Sequence, residues 1–219
     1  MKKKLFWIIG ILATLVLMIV LKWNPIQWFG WVLAAASGLY MLYILVFGLN
    51  YFAGPLAEDL RLEVGSYTVE ELTEAAEYYR DKANELAVQV KRNPQGELQF
   101  ADFDTLAQQT GNGYRNLARE RSFSVFGGDY TPVKKLGWAG LYSAQGKTGV
   151  TVALTGESAV NPKIPGYALP FAMAHEMAHR LCIAREDDAN FSAFLACAEN
   201  EDLSYQYSGY FMAYNFCIE

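Results

Sequence analysis

The chain has 219 residues, with 18 Lys and Arg against 23 Asp and Glu, for a formal net charge of -5. That balance, with no basic stripe along any segment, argues against a nucleic acid as partner. Three cysteines, Cys182, Cys197 and Cys217, are an odd number in apolar helical contexts, which reads as reduced, buried thiols and not as a disulfide framework.

The start is basic, Lys2, Lys3 and Lys4, and residues 5–21 form an uninterrupted apolar run just long enough to span a bilayer. Residues 28–47 form a second, rimmed by Trp23, Trp28, Trp31 and Tyr51 as interfacial anchors. No small-x-small cleavage pattern follows Leu21 and a second span comes at once, so an anchor is favoured over a cleavable signal. The expected architecture is α+β. A membrane anchor of two transmembrane helices, residues 1–52, precedes one mainly helical domain with a small β-sheet, residues 53–219. The three lysines hold the N-terminus inside, and a hairpin turning at Asn24-Pro25 returns the domain to the cytoplasmic face of the cell membrane. Unpaired cysteines agree with a reducing compartment.

Within the domain, Thr68-Val69-Glu70-Glu71 has the form of a capping box, and apolar spacing through Leu72, Ala76, Tyr79, Ala83, Leu86 and Val90 carries a helix to a stop at Asn93-Pro94. A second helix is expected over residues 102–119. Residues 125–130, 140–143 and 149–155 have the β-branched, glycine-punctuated look of short strands.

The only two histidines then fall in one five-residue string, His175-Glu176-Met177-Ala178-His179, which reads H-E-x-x-H. On a helix, residues four apart share a face, so both imidazoles can reach one Zn²⁺ while Glu176 flanks the same site. The metal lowers the pKa of a bound water, and Glu176 is placed to take that water's proton as it attacks a polarised carbonyl. The bland alternative is a solvated helix with two ordinary histidines. Against it, the flanks Leu169 to Ala174 and Leu181 to Ile183 are almost wholly apolar and would bury these polar groups without a partner.

Catalytic zinc usually takes three protein ligands and a water. The third is sought in Arg185-Glu186-Asp187-Asp188-Ala189-Asn190, which opens another amphipathic segment. Glu186 and Asn190 are four apart, so one can ligate while the other hydrogen-bonds a ligand histidine. Glu186 is the favoured ligand and Asp188 its rival. These acids would also serve a helix N-terminus with no metal present. Cys182 lies close by, at a spacing that fits no familiar Cys/His metal motif. The acids together with Arg180 and Arg185 make the segment too charged for an intramembrane protease.

The runs 169–179 and 184–191, together with Gly48-Leu49-Asn50-Tyr51-Phe52, Thr131 to Lys135, Thr155 to Asn161 and Tyr207-Ser208-Gly209-Tyr210, resemble a bacterial domain-of-unknown-function family of membrane-anchored HExxH zinc metallopeptidases of the gluzincin type. The resemblance covers most of the chain. It implies that Glu186 is the E of an E-x-x-x-D/N ligand helix with Asn190 behind a histidine, and that a strand within residues 151–161 pairs with extended substrate. The family pattern has a glycine where Cys182 stands, and the chain ends soon after Tyr210, as in a shortened member.

The expected function is a zinc-dependent peptidase at the bilayer, with His175, His179 and Glu186 as ligands, Glu176 as base and a protein or peptide as substrate. The alternative is a non-catalytic membrane protein with a structural or regulatory metal. Tyr205, Tyr207, Tyr210 and Phe211 recur at helical intervals as a packing stripe, with Tyr207 and Tyr210 as candidates for oxyanion stabilisation.

Overall fold

The computed structural model describes residues 14, 16, 24–48 and 52–219. The chain divides into two compact units, residues 1–49 and 50–219.

In the first unit, the apolar run 5–21 lies outside the described residues apart from Thr14 and Val16. The second run is helical. Helix α1 (Pro25–Tyr43) begins three residues before the expected residue 28, because Asn24 accepts from Ile26 N at 2.9 Å and Pro25 takes a first-turn position where no N–H is needed. It continues into a π turn at Ile44–Gly48. The 22 residues of Pro25–Val46 are long and apolar enough to cross a membrane, the one such helix among the described residues. At 1.5 Å per residue they reach about 33 Å, against a hydrocarbon core of about 30 Å. None of the α1 side chains is buried, as a lipid-facing helix requires.

The second unit is mainly helical with a small mixed sheet. A short helix α2 (Leu56–Asp59) is followed by α3 (Val69–Ala87), which carries the expected capping box: Glu71 N donates to Thr68 Oγ1 at 3.2 Å and Thr68 N to Glu71 Oε2 at 2.7 Å. The helix stops at Ala87, short of the expected Asn93. Val90 is buried through a turn, and Arg92 forms a β-bridge with Leu98, so burial and local pairing override the apolar periodicity. Helix α4 (Phe103–Glu120) starts on Asp102, which accepts from the N–H groups of both Asp104 and Thr105.

Of the three expected strands one forms, over only the first four residues of 149–155. Strand β1 (Lys134–Lys135) was not foreseen. Residues 125–130 contribute only a 3₁₀ turn, Ser124–Phe126, and residues 140–143 belong to a five-residue helix α5 (Ala139–Ser143). Short runs of glycine, aromatics and serine carry no periodicity that separates strand from helix, and here Asn161 donates to Ser143 Oγ at 2.8 Å and ties α5 to the sheet. Strand β2 (Gly149–Val152) turns through Gly156 (φ +66°) into β3 (Glu157–Val160). β2 and β3 are antiparallel with Thr151 opposite Ser158, and β1 runs parallel to β3, so the order is β1-β3-β2 with β3 in the middle.

The motif helix α6 (Leu169–Arg180), α7 (Glu186–Ala198) and α8 (Leu203–Ile218) complete the unit. Helix α6 is its centre: Met173, Ala174, Met177 and Ala178 are fully buried, packed with α4 (Leu106, Tyr114, Leu117), α7 (Ala189, Ala193) and Val160 of β3. Burying each methionine contributes about 1.5–3 kcal/mol. The start of α6 has no side-chain cap of its own, but Pro170 removes one orphan donor and Ser208 of α8 accepts from Phe171 N at 3.1 Å. Tyr114 donates to Ala174 O at 2.8 Å, a cross-link from α4 to the turn that bears His175. Helices α4 and α7 approach so closely that a Cβ on Gly113 would lie 1.8 Å from Ala196 O, so only glycine fits.

Candidate metal centre

Helix α6 presents His175 and His179 on one face, both largely shielded from solvent, and α7 supplies Glu186 from its first turn with 71% of its side chain exposed. One ligating atom from each lies within 4.8 Å of the others. The two Nε2 atoms are 3.1 Å apart, His175 Nε2 is 3.2 Å from Glu186 Oε2, and His179 Nε2 is 3.6 Å from Glu186 Oε1. The open side of this triangle faces solvent through Glu186.

The other ring nitrogens are occupied. His175 Nδ1 lies 2.8 Å from Asn190 Oδ1, and His179 Nδ1 2.8 Å from the carbonyl of Ile183. A carbonyl oxygen only accepts, so each Nδ1 carries the proton and each Nε2 presents a bare lone pair. Two lone pairs facing each other at 3.1 Å, beside a carboxylate, repel unless a cation lies between them. A proton on His175 is disfavoured in that place, because burial, with His179 nearby, holds the His175 imidazole below its ordinary value despite the opposing pull of Glu186 and Asn190.

A divalent metal fits better. Four-coordinate zinc with bonds of about 2.0–2.1 Å separates its ligand atoms by about 3.3 Å, and the three separations here bracket that value. Two imidazoles and one carboxylate suit zinc, and the rivals oxygen-rich sites attract do not match this set.

The turn after α6 makes this geometry. Leu181 ends the helix and Cys182 adopts a left-handed conformation, φ +69°, with Cys182 N donating to His179 O at 3.1 Å and Ile183 N to Ala178 O at 3.1 Å. This is a Schellman closure on a residue other than glycine. It reverses the chain tightly enough to deliver the Ile183 carbonyl to His179. Contrary to the expectation of three buried thiols, Cys217 is only partly buried and Cys182 is exposed, since the left-handed turn throws its side chain outward. Cys197 is buried, which pushes its thiol up and leaves it inert.

Asp188, the rival third ligand, points elsewhere. Its Oδ2 accepts from Leu56 N at 3.2 Å, satisfying the start of α2, and lies 3.7 Å from Arg185 Nε. Its place two residues after Glu186 puts it on another face of α7.

Glu176 faces the sheet and is 5% exposed. Its Oε2 accepts from Thr151 Oγ1 at 2.7 Å, and its backbone carbonyl accepts from Ser158 Oγ at 2.8 Å. Burial pushes the Glu176 carboxyl up from its ordinary value, while the Thr151 hydroxyl and His179 pull the other way. Neither Thr151 nor Ser158 stood out in the sequence as a partner of Glu176. The one trace was the period-two spacing that puts residues 149 and 151 on the same strand face.

Residues 151–161 are not a single edge strand. β3 lies between β1 and β2, so among the described residues β2, which carries Thr151 against Glu176 of α6, is an edge strand. Tyr207 packs on Phe100 and Phe211, and Tyr210 on Tyr78, Tyr79 and Phe194. Both belong to the aromatic layer between α3 and α8.

Residues 3–219 match the family described as a protein of unknown function, DUF3810, and the chain belongs to that family. No curated protein and no solved structure matches it.

Proposed function

We propose that the domain is a zinc-dependent peptidase of the gluzincin-like HExxH kind, anchored to a membrane and hydrolysing amide bonds of protein or peptide substrates. The observation that carries this reading is the triangle of His175 Nε2, His179 Nε2 and Glu186 Oε, with both Nδ1 atoms committed to acceptors. His175, His179 and Glu186 would hold the ion. When bound, zinc supplies a Lewis acid that polarises a carbonyl and brings the pKa of water toward neutrality.

The chain's own residues do the rest. Three ligands leave a coordination position open, which suits catalysis better than a closed structural site. Glu176, its carboxyl pushed up by burial, serves as the general base: an Oε atom takes a proton from the attacking water and returns it to the leaving nitrogen. Asn190 and the Ile183 carbonyl keep both imidazoles in one tautomer and orientation. The free edge of β2, whose residues touch Glu176, offers main-chain groups to an extended substrate.

Purified protein should carry about one zinc per chain and cleave unfolded protein substrates. Zinc bound with no hydrolysis by the wild type under any condition would favour the alternative, a structural or regulatory metal in a non-catalytic membrane protein.

The reading places α1 and the run 5–21 as a two-span anchor in the cell membrane with the domain on the cytoplasmic side. Exposed Cys182 is a suitable reporter. A membrane-impermeant maleimide should label it only after lysis, and labelling of intact cells would put the domain outside.

A further inference from the structure

The hydroxyls over Glu176 form a small, closed proton inventory. Thr151 Oγ1 lies 2.7 Å from Glu176 Oε2, 3.0 Å from Glu176 O and 2.9 Å from Ser158 Oγ, and Ser158 Oγ lies 2.8 Å from Glu176 O. Thr151 has one proton for three acceptors. With Ser158 donating to the Glu176 carbonyl, the Thr151 proton goes to the carboxylate, its shortest and only charge-assisted partner. Without Ser158 the carbonyl becomes a competing acceptor for that same proton. The two residues face each other across β2 and β3, which fixes the pair.

Gly149, two residues before Thr151, completes the cradle. A Cβ there would lie 2.5 Å from Glu176 Oε1 and 2.6 Å from its Cγ, so the carboxylate rests directly on the strand backbone. The strand face formed by residues 149 and 151 thus sets where the Glu176 carboxylate sits, by one hydrogen bond on one side and one steric wall on the other.

We propose that Thr151 is the positioning residue for the general base, with Ser158 directing its proton, so that the sheet edge that meets substrate also aims Glu176. This rests on the hydrolytic reading above. Among the described residues Thr151 is the donor that holds the buried Glu176 carboxylate, and a base out of place lowers the rate of proton transfer without weakening substrate binding.

The test uses the zinc-loaded full chain with Thr151→Val, Thr151→Ser and Ser158→Ala, a library of internally quenched peptides as substrate, and crystal structures of the wild type and Thr151→Val. Thr151→Val should keep its zinc and its KM, lose about ten- to a hundredfold in kcat, and show the Glu176 carboxylate moved from its place beside β2. Thr151→Ser should restore most of the rate, which a merely structural role for the threonine would not explain, and Ser158→Ala should fall between. A Thr151→Val protein with wild-type kcat, or with the carboxylate unmoved, would overturn the proposal. Glu176→Gln serves as the separate control: if it matches the wild type, the hydrolytic reading fails, and the crystallographic position of the carboxylate still decides the role of Thr151.

Discussion

The two faces of the motif helix are held in different ways. The histidine face is completed by groups close in sequence: Glu186 and Asn190 come from the next helix and the Ile183 carbonyl from the turn between. The Glu176 face is completed from afar by Gly149, Thr151 and Ser158 on a hairpin. On the proposed function, the metal site would be assembled by one helix-turn-helix segment, whereas the base would depend on the sheet docking correctly. Binding and chemistry should therefore be separable by mutation.

The largest expected effect lies on the histidine face. His175→Ala or His179→Ala removes one of three ligands and should abolish zinc content, measured by elemental analysis of the purified protein. Full occupancy in either variant would remove the metal from the account. On the adjoining Glu176 face, Glu176→Gln keeps size and hydrogen bonding but cannot accept a proton. It should retain zinc and lose at least about two orders of magnitude in peptide hydrolysis. Loss of zinc from this variant would erase the contrast between the faces.

Finer tests sharpen the histidine face. Asn190→Ala leaves the His175 ring unfixed and should weaken zinc binding about ten- to a hundredfold in a chelator competition, whereas Asp188→Ala should bind zinc normally and lose about 1 kcal/mol of stability through the start of α2. The opposite ranking would transfer weight from Glu186 to Asp188. The smallest effect is at the turn. Cys182 holds a left-handed conformation that costs a side-chain-bearing residue about 1 kcal/mol, so Cys182→Gly should raise stability by about that much in denaturant unfolding and leave zinc affinity unchanged.

The same contrast explains what was legible in the sequence. The clustering of His175, His179 and Glu186 could be read because the spacings 175 to 179 and 186 to 190 are single helical turns, and the helix with the capping box at Thr68 begins where that residue stands, whereas the start of α1 at Asn24 was read three residues late. Asp188 could not be separated from Glu186 without knowing that α2 packs nearby and needs an acceptor. The left-handed turn at Cys182 had no signal in the sequence itself, since a cysteine rarely holds that conformation. The base cradle stayed hidden because strand pairing between residues 151 and 158, and their docking on α6, are tertiary events with no local signature. The same reason accounts for the misread segment 140–143, where tertiary ties through Asn161 select a helix over a strand.

The most direct measurement is a crystal structure of the zinc-loaded protein with anomalous data at the zinc edge. The account predicts one peak about 2.0–2.2 Å from His175 Nε2, His179 Nε2 and a Glu186 oxygen, with Asp188 still bonded to Leu56 N. A peak that draws in Asp188 or Cys182, or no peak between the two histidines, would contradict it.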